Sequence, residues 1–398
     1  MSDTLAVPAH LRAARAAVAT CFFVNAVLYA NLVPRLPEVK DRLDLSNAAL
    51  GAAIAALPLG ALVSALASAA LMRRFGSARV ASWGLVALAG AIWGAAVSPS
   101  WWLLATALFV AGALDAVVDV AQNAHGLRVQ RAYDRSILNA FHGLWSVGAV
   151  GGGLLGSAAA GLRVPLAVHL GVVAAVFAVV ALVAYRRMLP GPDHEEPVDD
   201  DGAPPAGRAG MRASLGAMAA LGVLATCGAF VEDAGSSWAA LYLRGEVGTG
   251  VATAGLGFVA LSVAMTVGRL TGDRVVDRFG QRRVARGGGA LIAVGMGLAL
   301  AVPSLATTLV GFALAGLGVA TLVPAVYAAA DELPGLRHGV GLTVVNWLLR
   351  IGFLASPPLV GAVADATSLR VGLLGVVLAG VVTLVLGRVL RPTVSAAR

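Results

Sequence analysis

Twelve apolar runs, each 19 to 30 residues long and separated by short gaps, many of them Arg-bearing, leave this chain few ways to fold. A helix that crosses a bilayer needs ~20 mostly apolar residues, because the hydrocarbon core is ~30 Å thick and each residue rises ~1.5 Å. Runs of that kind lie near 13–32, 47–72, 80–98, 102–125, 137–161 and 165–185. After a break they resume near 214–243, 251–276, 284–302, 305–330, 339–364 and 369–390. With 59% of the residues hydrophobic and only 13% charged, the chain has too few charges to coat a soluble body of 398 residues. Lipid is therefore the expected solvent, and the expected class is an all-α membrane protein of twelve transmembrane helices. Polar residues run through His10 before an apolar stretch long enough to span, so that stretch is read as the first helix rather than a cleaved signal.

The break holds Pro190, Gly191 and Pro192, then six acids between Asp193 and Asp201, then Pro204 and Pro205. Such a composition cannot bury a core and reads as a solvated linker, 186–213, between helical bundles at 1–185 and 214–398. Of the 29 Lys and Arg residues, 21 fall on the side that carries both termini and the linker, six fall on the other side, and Arg269 and Arg350 lie within helices. This bias predicts a multi-pass protein of the cell membrane with both termini in the cytoplasm. The net charge of +8 does not point to nucleic acid, because the Arg residues form neither a continuous basic face nor an aromatic-interleaved patch. Cys21 and Cys227 sit inside apolar segments and read as buried small side chains, and the six histidines form no metal-ligand pair. No cofactor is expected, and the absence of a nucleotide-binding loop argues against ATP drive by this chain.

The two halves repeat. Arg74-Phe75-Gly76 and Arg278-Phe279-Gly280 lie 204 positions apart, and the same ungapped offset pairs Arg79 with Arg283, Val80 with Val284, Gly51 with Gly255, Leu57 with Leu261 and Gly112 with Gly316. The second copy, from Gly272 through Asp273, Arg274, Asp277, Arg278, Gly280, Arg282 and Arg283, resembles the loop signature Gly-x-x-x-Asp-Arg-x-Gly-Arg-Arg of the major facilitator superfamily. Asp273 stands where the family glycine sits, and the first copy has Arg73 for the aspartate and Ala69 for the glycine. The resemblance spans essentially the whole chain. It implies two pseudo-symmetric six-helix bundles that expose a central cavity to each side in turn. It also implies a cytoplasmic gating role for Asp277, Arg278 and Arg282, with Asp273 and Arg269 in support.

An ionisable residue at the centre of a spanning helix costs ~2.5–3.5 kcal/mol on insertion scales, so each is a candidate for function. The fourth helix carries Asp115, Asp119 and Gln122 on one face, with Asn123 one turn below Asp119. Two carboxylates a turn apart do not both ionise cheaply, which suits a proton carrier. On the fifth helix Asn139, His142 and Ser146 share a face, and His142 is placed to serve as a relay to Asp119 or as an interhelical hydrogen bonder. The run from Asp119 to Asn123, followed by Asn139, His142, Trp145 and Gly148, resembles a fucose-permease-related branch of the superfamily. In its fucose-transporting members an acid followed four residues later by Asn marks the protonatable site. The first helix offers only Asn25, Tyr29 and Asn31 where those transporters carry an acid, which argues against fucose itself as cargo. The seventh helix carries Glu232, Asp233 and Trp238, and relatives of that branch favour Glu232 as the functional acid. The eleventh carries Asn346 and Arg350, with Arg350 read as a partner for Glu232 or Asp233 or as a contact for an anionic substrate. Glycines 148, 151, 152, 153 and 156 on the fifth helix are read as a close-packing surface.

These features together predict a proton-coupled secondary transporter, working by alternating access, for a small polar or amphipathic solute. Asp119, Asp115, His142 and Glu232 are the coupling candidates. Asn25, Tyr29, Asn123, Asn139, Trp145, Asp233, Trp238, Asn346 and Arg350 are the cavity candidates, and Tyr29, Trp145, Trp238, Tyr242 and Tyr327 suit a hydroxylated or cationic ligand. The expected partners are that solute, protons and the bilayer, with no nucleic acid and a monomeric state. A drug or metabolite efflux antiporter is the alternative, ahead of an integral-membrane enzyme or a non-transporting sensor.

Overall fold

The computed structural model describes residues 8–133, 137–191, 208–333 and 340–390. Among them, twelve helices are long and apolar enough to cross a membrane, and there is no strand. They are α1 (Ala9–Leu32), α2 (Asn47–Phe75), α3 (Ser77–Val97), α4 (Trp101–Tyr133), α5 (Leu138–Gly161) and α6 (Leu166–Tyr185). Then follow α7 (Arg208–Ser237), α8 (Leu256–Phe279), α9 (Gln281–Ala301), α10 (Leu305–Val319, resumed as Leu322–Asp331), α11 (Val340–Ala366) and α12 (Leu374–Leu386, the main part of a span over Leu369–Val389). The all-α, twelve-span expectation holds.

Two differences from the expected boundaries have physical causes. The helix expected to end near 125 runs on to Tyr133, because its last two turns find polar partners instead of lipid. Arg128 donates to the carbonyls of Pro190 and Gly191, and Gln130 Oε1 accepts from the Ile137 and Leu138 amides at 2.8 and 3.1 Å, which starts α5. The seventh span does not continue unbroken to 243. It stops at Ser237, Trp238 leaves helical geometry (φ −121°, ψ −16°), and a short helix resumes over Ala239–Gly245.

The chain divides into two compact units, Met1–Leu43 with Ala56–Glu196, and Asp44–Ala55 with Pro197–Arg398. In the first, α1 packs on α5 and α6, and α3 packs on α4 and α6. In the second, α7 packs on α11 and α12, and α9 on α10 and α12, the same set of pairings shifted by six helices. The second unit also holds the start of α2, where the Asp365 carboxylate accepts from the Asn47 and Ala48 amides at 2.9 and 2.8 Å and satisfies a helix N-terminus. Large apolar side chains such as Trp102, Val294 and Leu378 are exposed, as a lipid-facing surface requires.

The internal repeat is geometric as well as textual. Gly76 between α2 and α3 has φ 80° and ψ 148°, and Gly280 between α8 and α9 has φ 81° and ψ 149°. Positive φ is open to glycine and strained for other residues, so both copies keep it. Each is preceded by an arginine over a phenylalanine ring, Arg74 on Phe75 at 5.4 Å and Arg278 on Phe279 at 5.5 Å. A Cβ on Gly112 would strike the Leu57 carbonyl, and one on Gly316 would strike that of Leu261, so both members of a repeated pair mark the same helix crossing.

The glycines of α5 divide by face. Gly148, Gly152 and Gly156, four residues apart, meet the backbone of α1 at Phe23, Val27 and Asn31. Gly151 meets nothing within 4 Å. This is the close-packing surface read from the sequence, narrowed to every fourth residue.

Candidate functional site

In the first unit the polar side chains of three helices converge. Asn25 of α1 is buried and donates through Nδ2 to Asp115 Oδ1 of α4 at 2.7 Å. The indole Nε1–H of Trp145 on α5 donates to Asn25 Oδ1 at 2.9 Å. The amide therefore serves both neighbours, and its orientation follows from having a donor on one side and an acceptor on the other. One turn along α4, Asp119 is exposed, and its Oδ1 accepts from Asn123 Nδ2 at 3.1 Å and Gln122 Nε2 at 3.4 Å. Asn123 Nδ2 also donates to the Asp119 carbonyl at 2.8 Å, while Gln122 Oε1 is buried with no partner among the described residues. Tyr29 lies half-buried on α1, and His142 is exposed on α5 with its ring edge on Phe22, 5.1 Å between centroids. The side chain of Asn139 lies outside the described residues.

In the second unit Glu232 of α7 pairs with Arg269 of α8 at 3.5 Å. The sequence reading had offered Arg350 as its partner and Arg269 as a support for the cytoplasmic loop. The choice depends on which helix lies beside α7 at that height, which linear spacing does not encode. Asp233 is buried, accepts from Ser237 Oγ at 2.7 Å and has Ser356 of α11 beside it. Trp238, at the break after α7, is fully buried, and its Nε1–H has no partner among the described residues. Tyr327 donates to Asn346 Oδ1 at 2.8 Å, and Arg350 lies half-buried one turn beyond Asn346 on α11. Asp273, Asp277 and Arg278 are exposed at the end of α8, and Arg282 donates from Nε to the Arg388 carbonyl at 2.7 Å, tying α9 to the end of α12.

Sequence reading missed one polar cluster. Arg35, one of the six charges on the side away from the termini, is 2% exposed. It donates to Glu38 (2.5 and 2.8 Å), to the Val164 carbonyl (2.8 Å) and to His169 Nδ1 (3.3 Å). With Nδ1 accepting, His169 carries its proton on Nε2 and gives it to Asn31 Oδ1 at 3.1 Å. The signal was the Pro34-Arg35-Leu36-Pro37 run, where α1 passes through a 3-10 turn into a short helix over Leu36–Arg42 and the Arg35 side chain is buried.

Comparison with known proteins agrees with this architecture. An uncharacterized MFS-type transporter of Yersinia pestis is 28% identical over 365 residues, 88% of this chain and 88% of that one. A bacterial homologue of the human lysosomal transporter Spinster, in an inward-facing and unoccupied conformation, superposes with a TM-score of 0.74 at 15% identity, over 97% of this chain and 98% of that one. The E. coli fucose:proton symporter superposes with a TM-score of 0.60 at 19% identity, over 94% of this chain and 97% of that one. The sequence profile of the Major Facilitator Superfamily matches residues 18–232 and again 218–398. With both halves matched, twelve spans and the repeated loop, the chain belongs to the Major Facilitator Superfamily and is a multi-pass membrane transporter, not an enzyme.

Proposed function

We propose that this transporter moves a small hydroxylated or cationic solute across the cytoplasmic membrane by alternating access, coupled to protons through the carboxylates of α4. The observation that carries the reading is the chain Trp145–Asn25–Asp115, which joins an indole, an amide and a carboxylate from three spanning helices. An amide donor can hold a carboxylate in either protonation state. Asp119, one turn away and exposed, takes the proton from the aqueous side, and Gln122 and Asn123 orient it. A solute hydroxyl or cation that engages Asp115 or Trp145 competes for Asn25, which couples cargo binding to the protonation of the pair. The pair Glu232–Arg269 offers the second unit a carboxylate for the same solute. The bundles 1–185 and 214–398, joined by 186–213, act as the two moving bodies, and the loop with Asp273, Asp277, Arg278 and Arg282 serves as their cytoplasmic latch. The fucose:proton symporter of the same fold supports the coupling by its chemistry.

Proteoliposomes loaded with a pH-sensitive dye test this. Sugars, polyols, amino acids and organic cations are screened against the wild type, Asp119→Asn and Asp115→Asn. A solute-dependent pH change in the wild type that Asp119→Asn reduces at least ten-fold supports the proposal, and its sign gives symport or antiport. Solute movement with no proton flux in the wild type refutes it. A flux untouched by both substitutions moves coupling to Glu232.

A further inference from the structure

The first copy of the repeated loop does not carry the charges of the second. At positions 204 residues apart, Ala69 and Arg73 stand where the second copy has Asp273 and Asp277. The exchange removes two acids and adds a base. In the structure this loop borders a cleft of about 1120 Å³ within the first unit, between the end of α2, the start of α3, the last turns of α4 and the chain after α6. Arg73, Arg74, Arg79 and Arg186 line it, and among the described residues no acidic side chain does. Phe75 and Leu189 supply apolar wall beside them, and Phe75 is 45% exposed.

The walls are held in place by buried polar contacts. His125 of α4 is fully buried, and its Nε2 accepts from the Leu189 amide at 3.2 Å. Its remaining proton, on Nδ1, goes to Ser77 Oγ at the start of α3, 2.9 Å away. Arg128 grips the carbonyls of Pro190 and Gly191, and Tyr185 OH accepts from Arg79 Nε at 3.2 Å. Four guanidinium groups are thus gathered at one rigid opening.

We propose that this cleft binds the headgroup of an anionic phospholipid, with phosphodiester oxygens on the arginines and the first acyl carbons against Phe75 and Leu189. Three observations favour it. Guanidinium forks match phosphate oxygens geometrically and without loss of charge at any physiological pH. The opening lies at the ends of the candidate spans Ser77–Val97 and Leu166–Tyr185, and the end of a span is where headgroups are expected. An exposed phenylalanine beside arginine suits a lipid neighbour and gains nothing from free phosphate.

Protein in a neutral detergent is titrated with cardiolipin, with phosphatidylcholine and with inorganic phosphate, and bound lipid is read by native mass spectrometry. The wild type is expected to retain cardiolipin over phosphatidylcholine. Arg74→Gln or Arg186→Gln alone is expected to weaken it about five-fold, and the triple Arg73→Gln/Arg74→Gln/Arg186→Gln about 100-fold. The matching triple Lys variant keeps most of the affinity, which separates lost charge from lost fold. Equal cardiolipin binding by the wild type and the single Gln variants overturns the proposal. So does inorganic phosphate binding as tightly as cardiolipin. Six acids follow in sequence between Asp193 and Asp201. Cardiolipin bound only after these are changed to Asn and Gln also overturns it, since the arginines would then be neutralised by the chain itself.

Discussion

Arg35 is 2% exposed and closes a single 3-10 turn that joins α1 to a short helix over Leu36–Arg42. Its charge is tolerated there because a carboxylate, a carbonyl and an imidazole nitrogen all face it. Removal of the guanidinium strands His169 Nδ1 and the Val164 carbonyl in a buried site. Arg35→Ala is therefore expected to destabilise the protein by about 2–4 kcal/mol. Glu38 is 44% exposed, so water replaces its side of the pair, and Glu38→Gln is expected to cost less than about 1 kcal/mol. Thermal melts of the two variants in the same detergent check the ordering. Asn25 is the corresponding residue inside the bilayer, and its two hydrogen bonds are what connect Trp145 to Asp115.

At the scale of the helix, periodicity within one element was readable and adjacency between elements was not. Asp119, Gln122 and Asn123 meet as their i, i+3 and i+4 spacing requires, because a single helix sets that geometry. Glu232 found Arg269 rather than Arg350 because its partner is decided by which helix lies alongside. The polar last turns of α4 read as a loop, since nothing in the text says that Arg128 and Gln130 will find carbonyls and amides there. The break at Trp238 falls three residues after Gly235. The glycines of α5 allow a sharper test. A methyl group on Gly152 would lie 2.8 Å from Ala30 Cβ and 2.9 Å from the Val27 carbonyl, whereas one on Gly151 meets nothing within 4 Å. Gly152→Ala is expected to destabilise by about 1–3 kcal/mol. Gly151→Ala is expected to be neutral or to stabilise by up to about 1 kcal/mol through helix propensity. The difference in melting temperature between two variants one residue apart decides it.

For the whole molecule, the repeat and the charge bias were the most legible features, because both extend over the full length and survive local irregularity. The bias of 21 to six predicts the topology, and in a background of Cys21→Ala and Cys227→Ala it is directly measurable. Single cysteines introduced at Ser2 and Ser395 are expected to react with an impermeant maleimide only in inverted vesicles, and Arg163→Cys only in intact cells. Any other pattern reverses the orientation. The substrate was not legible at either level, since it depends on the shape of a space that no helix encodes alone. The α1–α5 seam nonetheless restricts how that space changes. Three successive turns of α5 rest on main-chain atoms, and main chain has no rotamers with which to yield. Under the proposed function, a solute that engages Trp145 acts on Asn25 and Asp115 through two hydrogen bonds set beside this close-packed seam, so the seam is the fulcrum and the amide the lever.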